Sequence, residues 1–414
     1  MPVVTGEDPV VALGALEGAV WAFSATIEQE TMLELQLEGL RRAEALDHEY
    51  GLIDALLNLG QAYGRVGRWH ESRQCFQKAI ERGRDRHPLQ AQEAELAIAV
   101  LLEHSLQGYE VAQKLILAVS QGYPFSFWDW YFAATAMDSG HLEEALAACD
   151  RILASPVHRL MAVGVCHAQD RRGRILAMLG RQAEAEEAIE RALEAARSIV
   201  GPNWAVPMAW EGAAVVSAYA DDPARARHCL ERGLETARRG SIHNYVCRLA
   251  LELIPYLIDQ GDTGGAEALA VEAEQAMTVD GDAGPFYGPI IRLGFARVSL
   301  ARGNVERAAR LVLDSLPTRL EEAPTIGVAM SCLEMGALTV SSAGDQRAWT
   351  VLAALDRWRV EAHMVENPTV GRLRSRALEN LPAQSAGEPI DLDEALDVAR
   401  AALTSLTNAA RIRG

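Results

Sequence analysis

A helical face gathers side chains at intervals of three, four and seven residues, and several such sets in this sequence carry groups that could do chemistry. His167, Asp170 and Arg174 share one face, Met208 and Glu211 another, and Arg248 and Arg297 hold comparable places further along. Upstream, the run PFSFWDWYF from Pro124 to Phe132 is mostly aromatic in a chain whose aromatic content is only 6%. Within it Phe127 and Trp130 share a stripe with Met137. Two kinds of chemistry compete for these residues. His167 with Asp170 or Glu211 could form an acid–base pair in a groove enzyme. Alternatively, the aromatics make the floor and the charged groups the wall of a binding groove. A third reading has the aromatics as packing that fills a short junction between repeats.

The enzymatic reading lacks companions. The sequence has no nucleophile elbow, metal signature or glycine-rich cofactor loop. A phosphate-binding loop needs lysine after glycine, and the chain's two lysines, Lys78 and Lys114, both follow glutamine. His243 and Cys247 lie four apart, but no third and fourth ligand accompany them at zinc spacing. No enzyme activity, cofactor or metal is therefore expected, and the acidic residues above are expected to be solvated groove charges.

Composition narrows the partners. Thirty-nine basic residues against 57 acidic ones give a net charge of −18 over 414 residues. Such a surface repels nucleic-acid phosphates and anionic membranes. No apolar run reaches the ~18 residues of a membrane helix, and the start MPVVTGEDPV carries no basic region of a secretory leader. The six cysteines are scattered without a CxxC pair, as expected of free thiols packed as small apolar groups in a reducing compartment. The expectation is a soluble, cytoplasmic protein, with homo-oligomerisation left open.

Repetition is what positions the candidate residues. In residues 54–84, Leu56, Leu59, Gly60 and Tyr63 lie on one face of a first helix, and Ser72, Phe76 and Ala79 on one face of a second, with Gly67 at the turn. Small residues at Gly60 and Ser72 let the two helices approach, while the bulky positions fill space against the next pair. The small position recurs at Leu33, Ser72, Ala112, Ala145, Ala185, Ala226, Ala266, Ala308 and Ala348. Leu33 is bulky there, which marks a degenerate end unit. Gly140, Gly180, Gly261, Gly303 and Gly344 precede second helices, where glycine supplies a left-handed turn. In the sixth unit Asp221-Asp222-Pro223 does that work, the aspartates capping the helix and Pro223 fitting its first turn.

This spacing resembles the tetratricopeptide repeat. The resemblance implies an all-α, right-handed superhelical solenoid of about nine helix pairs, with first helices lining a concave groove where partners bind. Most intervals lie near 40 residues rather than 34, as in the superhelical arms of bacterial signal-transducing NTPase transcription regulators. The C-terminal stretch closing in Leu392-Asp393-Glu394-Ala395-Leu396 is similar to the end of those arms. The implied plan is an N-terminal capping helix pair over 1–50, a repeat array over 51–360 and a C-terminal helical cap over 361–414. The implied function is a non-enzymatic arm that senses a protein or peptide partner, or a small-molecule effector, within bacterial signalling. A free-standing adaptor or co-chaperone-like module is the alternative, and a groove enzyme using His167 and Asp170 the remote one. The groove residues on this reading are Phe127, Trp130, Met137, His167, Asp170, Arg174, Met208, Glu211, Arg248 and Arg297.

Overall fold

The helices follow from the alternation of apolar stripes and turn residues. The structure, a computed structural model, describes residues 29–65, 68–98, 128–155, 162–199, 203–278, 283–320, 323, 326–365, 367–379, 381 and 390–413. An N-terminal group holds α1 (Gln29–Ala45), α2 (Glu49–Arg65), α3 (Trp69–Gly83) and α4 (Pro88–Ala97). The longer group runs α5 (Trp128–Asp138), α6 (Leu142–Ala154), α7 (Ala162–Met178), α8 (Gln182–Ser198), α9 (Ala205–Tyr219) and α10 (Pro223–Arg239). It continues through α11 (His243–Asp259), α12 (Thr263–Met277), α13 (Gly284–Ala301), α14 (Val305–Leu313), α15 (Ile326–Ser342) and α16 (Arg347–Glu361), then α17 (Pro368–Leu378) and α18 (Leu392–Arg413). Among the described residues there is no strand. The molecule is an all-α helical repeat solenoid.

Seven of the nine predicted positions are seen to sit where helices pack. Ser72, Ala145, Ala185, Ala226, Ala266, Ala308 and Ala348 are all fully buried; Leu33 is half-buried and Ala112 lies outside the described residues. The close approach is visible at Gly60, where an added Cβ would stand 2.7 Å from the Phe76 ring. Ser72 donates its hydroxyl to the Gly60 carbonyl at 2.6 Å, so the small polar residue also ties the two helices together. Gly173 repeats this arrangement against Ile189, again at 2.7 Å.

The turns are built as expected. Gly140, Gly180, Gly261, Gly303 and Gly344 all have φ between +74° and +82°. Asp221 takes that place in the sixth unit at φ +57°, a conformation aspartate tolerates better than most residues. The capping therefore falls to Asp222 alone, whose carboxylate accepts from the Arg225 N–H at 2.9 Å. Asp262 and Asn304 cap α12 and α14 in the same way.

One apolar core runs from α5 to α13 and a second from α13 to α18, while α1–α4 have a core of their own around Phe76 and Ile53. The six cysteines are buried and free, and burial pushes their thiols up, Cys149 to about 12. The C-terminal helix opens on a reciprocal cap. Asp391 accepts from the Glu394 N–H at 2.8 Å, and Glu394 accepts from the Asp391 N–H at 3.1 Å. Its stripe of Leu392, Ala395, Leu396, Ala399 and Leu403 is buried. Among the described residues no helix is long and apolar enough to cross a membrane.

Candidate binding site on the first helices

The first helices of successive units, α5, α7, α9 and α11, meet along two rows of side chains. The first row is aromatic. The Trp130 and His167 rings stack with centroids 4.5 Å apart and planes 22° apart. His167 then meets the edge of Trp204 at 5.8 Å and 88°. The second row is ionic. Arg174 donates to Glu211 at 2.8 Å, and Glu211 accepts from Arg248 on its other oxygen, also at 2.8 Å.

Both rows advance by 37 residues per step: Trp130, His167, Trp204 in one and Arg174, Glu211, Arg248 in the other. The repeat frame advances by about 40, so neighbouring first helices are offset by three residues, close to one helical turn of ~3.6 residues. That slip brings non-equivalent positions of the frame into contact. It also explains why Trp204, just ahead of α9, stands beside His167. The interval of 37 between aromatic residues was the signal that could have found it.

Burial decides the electrostatics. Glu211 is 0% exposed and Asp170 only 4%. The expectation of solvated groove charges therefore fails for these two, because the offset turns both carboxylates between helices. Asp170 accepts from Arg174 Nε at 2.9 Å, and Arg174 also reaches the Met208 carbonyl at 3.2 Å. Burial pushes the Glu211 carboxyl up, but Arg248 and Arg174 together outweigh it and hold the group below its ordinary range. At Asp170 burial wins over Arg174 and the group is raised. Glu252 on α11 is pushed up to about 8, by burial first and then by the charge of Glu211. Asp138, at the end of α5, rises to about 6 through burial, against the pull of Arg171 and Arg248.

The remaining candidates are distributed more widely. Trp130 and His167 are half-buried, and the Trp130 carbonyl accepts from Arg171 at 2.9 Å. Met208 is core, 3% exposed, and Met137 packs against the same core. Arg248 keeps 34% of its side chain in solvent. Arg297 belongs to a separate constellation, with Glu334 as its charged neighbour. Phe127 lies outside the described residues. Glu252, Asp138, Arg171 and Trp204 join the site without having been anticipated. Among the described residues no group of three or more His, Cys, Asp or Glu side chains is placed to hold a metal ion.

Two stretches match the tetratricopeptide repeat family. They are residues 52–85, which contain most of α2 and all of α3, and residues 165–203, which contain α8 and most of α7. Comparison with curated proteins finds no match. Among solved structures, a tetratricopeptide repeat protein from Parabacteroides merdae is similar at 14% identity, over 73% of this chain and 91% of that one, with a TM-score of 0.32. The second matched stretch carries His167, Asp170 and Arg174 and ends one residue before Trp204.

Proposed function

We propose that this chain is a non-enzymatic scaffold that holds a protein or peptide partner along its first helices, at the face running from Trp130 to Arg248. The observation that carries this reading is the Glu211–Arg248 pair. A fully buried carboxylate fixes, at 2.8 Å, the guanidinium of an arginine whose side chain is one-third open to solvent. An arginine whose rotamer is already fixed loses less entropy on meeting a partner, and aromatic and arginine anchors dominate protein contacts. The repeat matches support an interaction scaffold in general. Against the acid–base alternative, the carboxylates of Asp170 and Glu211 are already engaged by Arg174 and Arg248.

The test pans a displayed peptide library on the intact chain and measures the enriched peptides on Arg248→Met and Trp204→Ala. Binding should fall at least tenfold on both, measured at a temperature where each variant keeps the helicity of the parent chain, since Arg248→Met also takes one partner from the buried Glu211. Arg174, buried beneath the surface, is a poorer probe than Arg248. Equal binding to the parent chain and both variants overturns the proposal.

The finer reading, a sensing arm of a bacterial transcription regulator, has the Leu392–Leu396 resemblance as its support. Co-purification from the native host with an NTPase subunit bearing a DNA-binding domain is the result it requires. Recovery with partners of another kind argues for a general adaptor.

A further inference from the structure

The stretch from the last turn of α16 through the first turns of α17 returns across the array and touches the turns of three consecutive units in order. The ring of Trp358 lies against Gly140, where an added Cβ would stand 2.9 Å from Cζ2. Val365 donates its backbone N–H to the Met178 carbonyl at 2.8 Å, and its Cγ1 would lie 3.1 Å from a Cβ at Gly180. Arg372 then pairs with Asp221. Trp358, Val365 and Arg372 are thus spaced by sevens against Gly140, Gly180 and Asp221, the left-handed turns of the fourth, fifth and sixth units. Met364 packs onto the core of those units, and α17 packs against both α9 and α15.

The other end of the segment is fastened to its own neighbourhood. Arg359 bonds Glu334 of α15 and pairs with Asp356, and Arg374 pairs with the same aspartate. A repeat solenoid ordinarily has contacts between adjacent units only, which leaves its pitch soft. Here the ninth unit is joined to the fourth, fifth and sixth through a single short stretch of chain.

We propose that Trp358, Val365 and Arg372 form an intramolecular latch. It occupies the row of turns at Gly140, Gly180 and Asp221, fixes the pitch of the array, and releases as a unit to open it. The chemistry of the contact suits release. The turns are met by one ring, one backbone hydrogen bond, a valine that is 42% exposed and an ion pair whose partners are 37% and 61% exposed. An exposed pair of this kind weakens with salt. The latch is independent of whether the Trp130–Arg248 face binds a peptide, because its readouts need no partner.

The experiment follows the full-length chain by hydrogen exchange and small-angle scattering. Arg372→Glu sets like charges at Asp221, and Arg372→Lys keeps the pairing. In Arg372→Glu the Val365 amide should exchange at least tenfold faster and the radius of gyration should rise, with α7–α12 still protected. Arg372→Lys should behave as the parent chain. Trp358→Ala, checked for retained helicity, should reproduce the effect of Arg372→Glu. If Arg372→Glu leaves Val365 protection and the radius of gyration unchanged, there is no latch. Equal acceleration in Arg372→Lys and Arg372→Glu overturns it too, since the charge pairing would then be irrelevant.

Discussion

Removing the carboxylate of Glu211 takes from Arg174 and Arg248 the acceptor they share. In Glu211→Ala the Arg174 bond is lost in nearly dry surroundings, the two side chains being 10% and 0% exposed. A charge-assisted bond of that kind is worth about 1.5–3 kcal/mol. The Arg248 bond counts at the low end of that range, because a third of that side chain is already hydrated. Some of the loss is recovered: with Glu211 gone, Glu252 ionises more readily and offers Arg248 a second acceptor. The net expectation is about 3–4 kcal/mol, in line with breaking a buried pair from one side. Urea titration followed by tryptophan fluorescence reads the loss, and hydrogen exchange should place it in α7, α9 and α11. The double variant Glu211→Leu with Arg248→Met keeps the Asp170–Arg174 pair and strands no charge, so it should cost less than Glu211→Ala alone. A loss under about 1 kcal/mol in Glu211→Ala, far below what stranding a buried charge should cost, refutes the account. So does a double variant less stable than the single one.

Further expectations concern pH and packing. Glu252 has its folded value raised to about 8 from an ordinary 4.5, so its contribution is complete below 4.5 and is lost as pH rises through 8. Asp138 acts with the same sign between 3.8 and about 6. The melting temperature should therefore fall from pH 5 to pH 9, less steeply in Glu252→Gln; identical slopes would contradict the assignment. At Gly60, alanine gains about 1 kcal/mol of helix propensity but meets the Phe76 ring at 2.7 Å. Overpacking of this kind costs about 1–3 kcal/mol, so Gly60→Ala should lower the urea midpoint. Gly39→Ala in α1, with nothing among the described residues within 4 Å of the new methyl, should raise it. Stabilisation at both sites would show that the close approach of α2 and α3 is not what requires glycine.

The repeat was legible because its causes are local. A small residue where helices cross, a left-handed turn and an apolar stripe each leave a mark within one unit, and Ser72, Gly180 and Phe76 are placed as those marks require. The faces of the first helices were legible too, since His167, Asp170 and Arg174 follow from helical period alone. What sits opposite them was not. Contacts between units depend on how far one helix slides past the next, and no single unit records that slip. It is the slip, three residues per unit, that buries Asp170 and Glu211 and brings Trp204 to His167. The return of Trp358, Val365 and Arg372 to turns far earlier in the chain depends on the accumulated curvature of the units between them. Sequence thus determined the brick and its repeat, and the stacking of bricks decided which charges are buried and where the C-terminal segment lands.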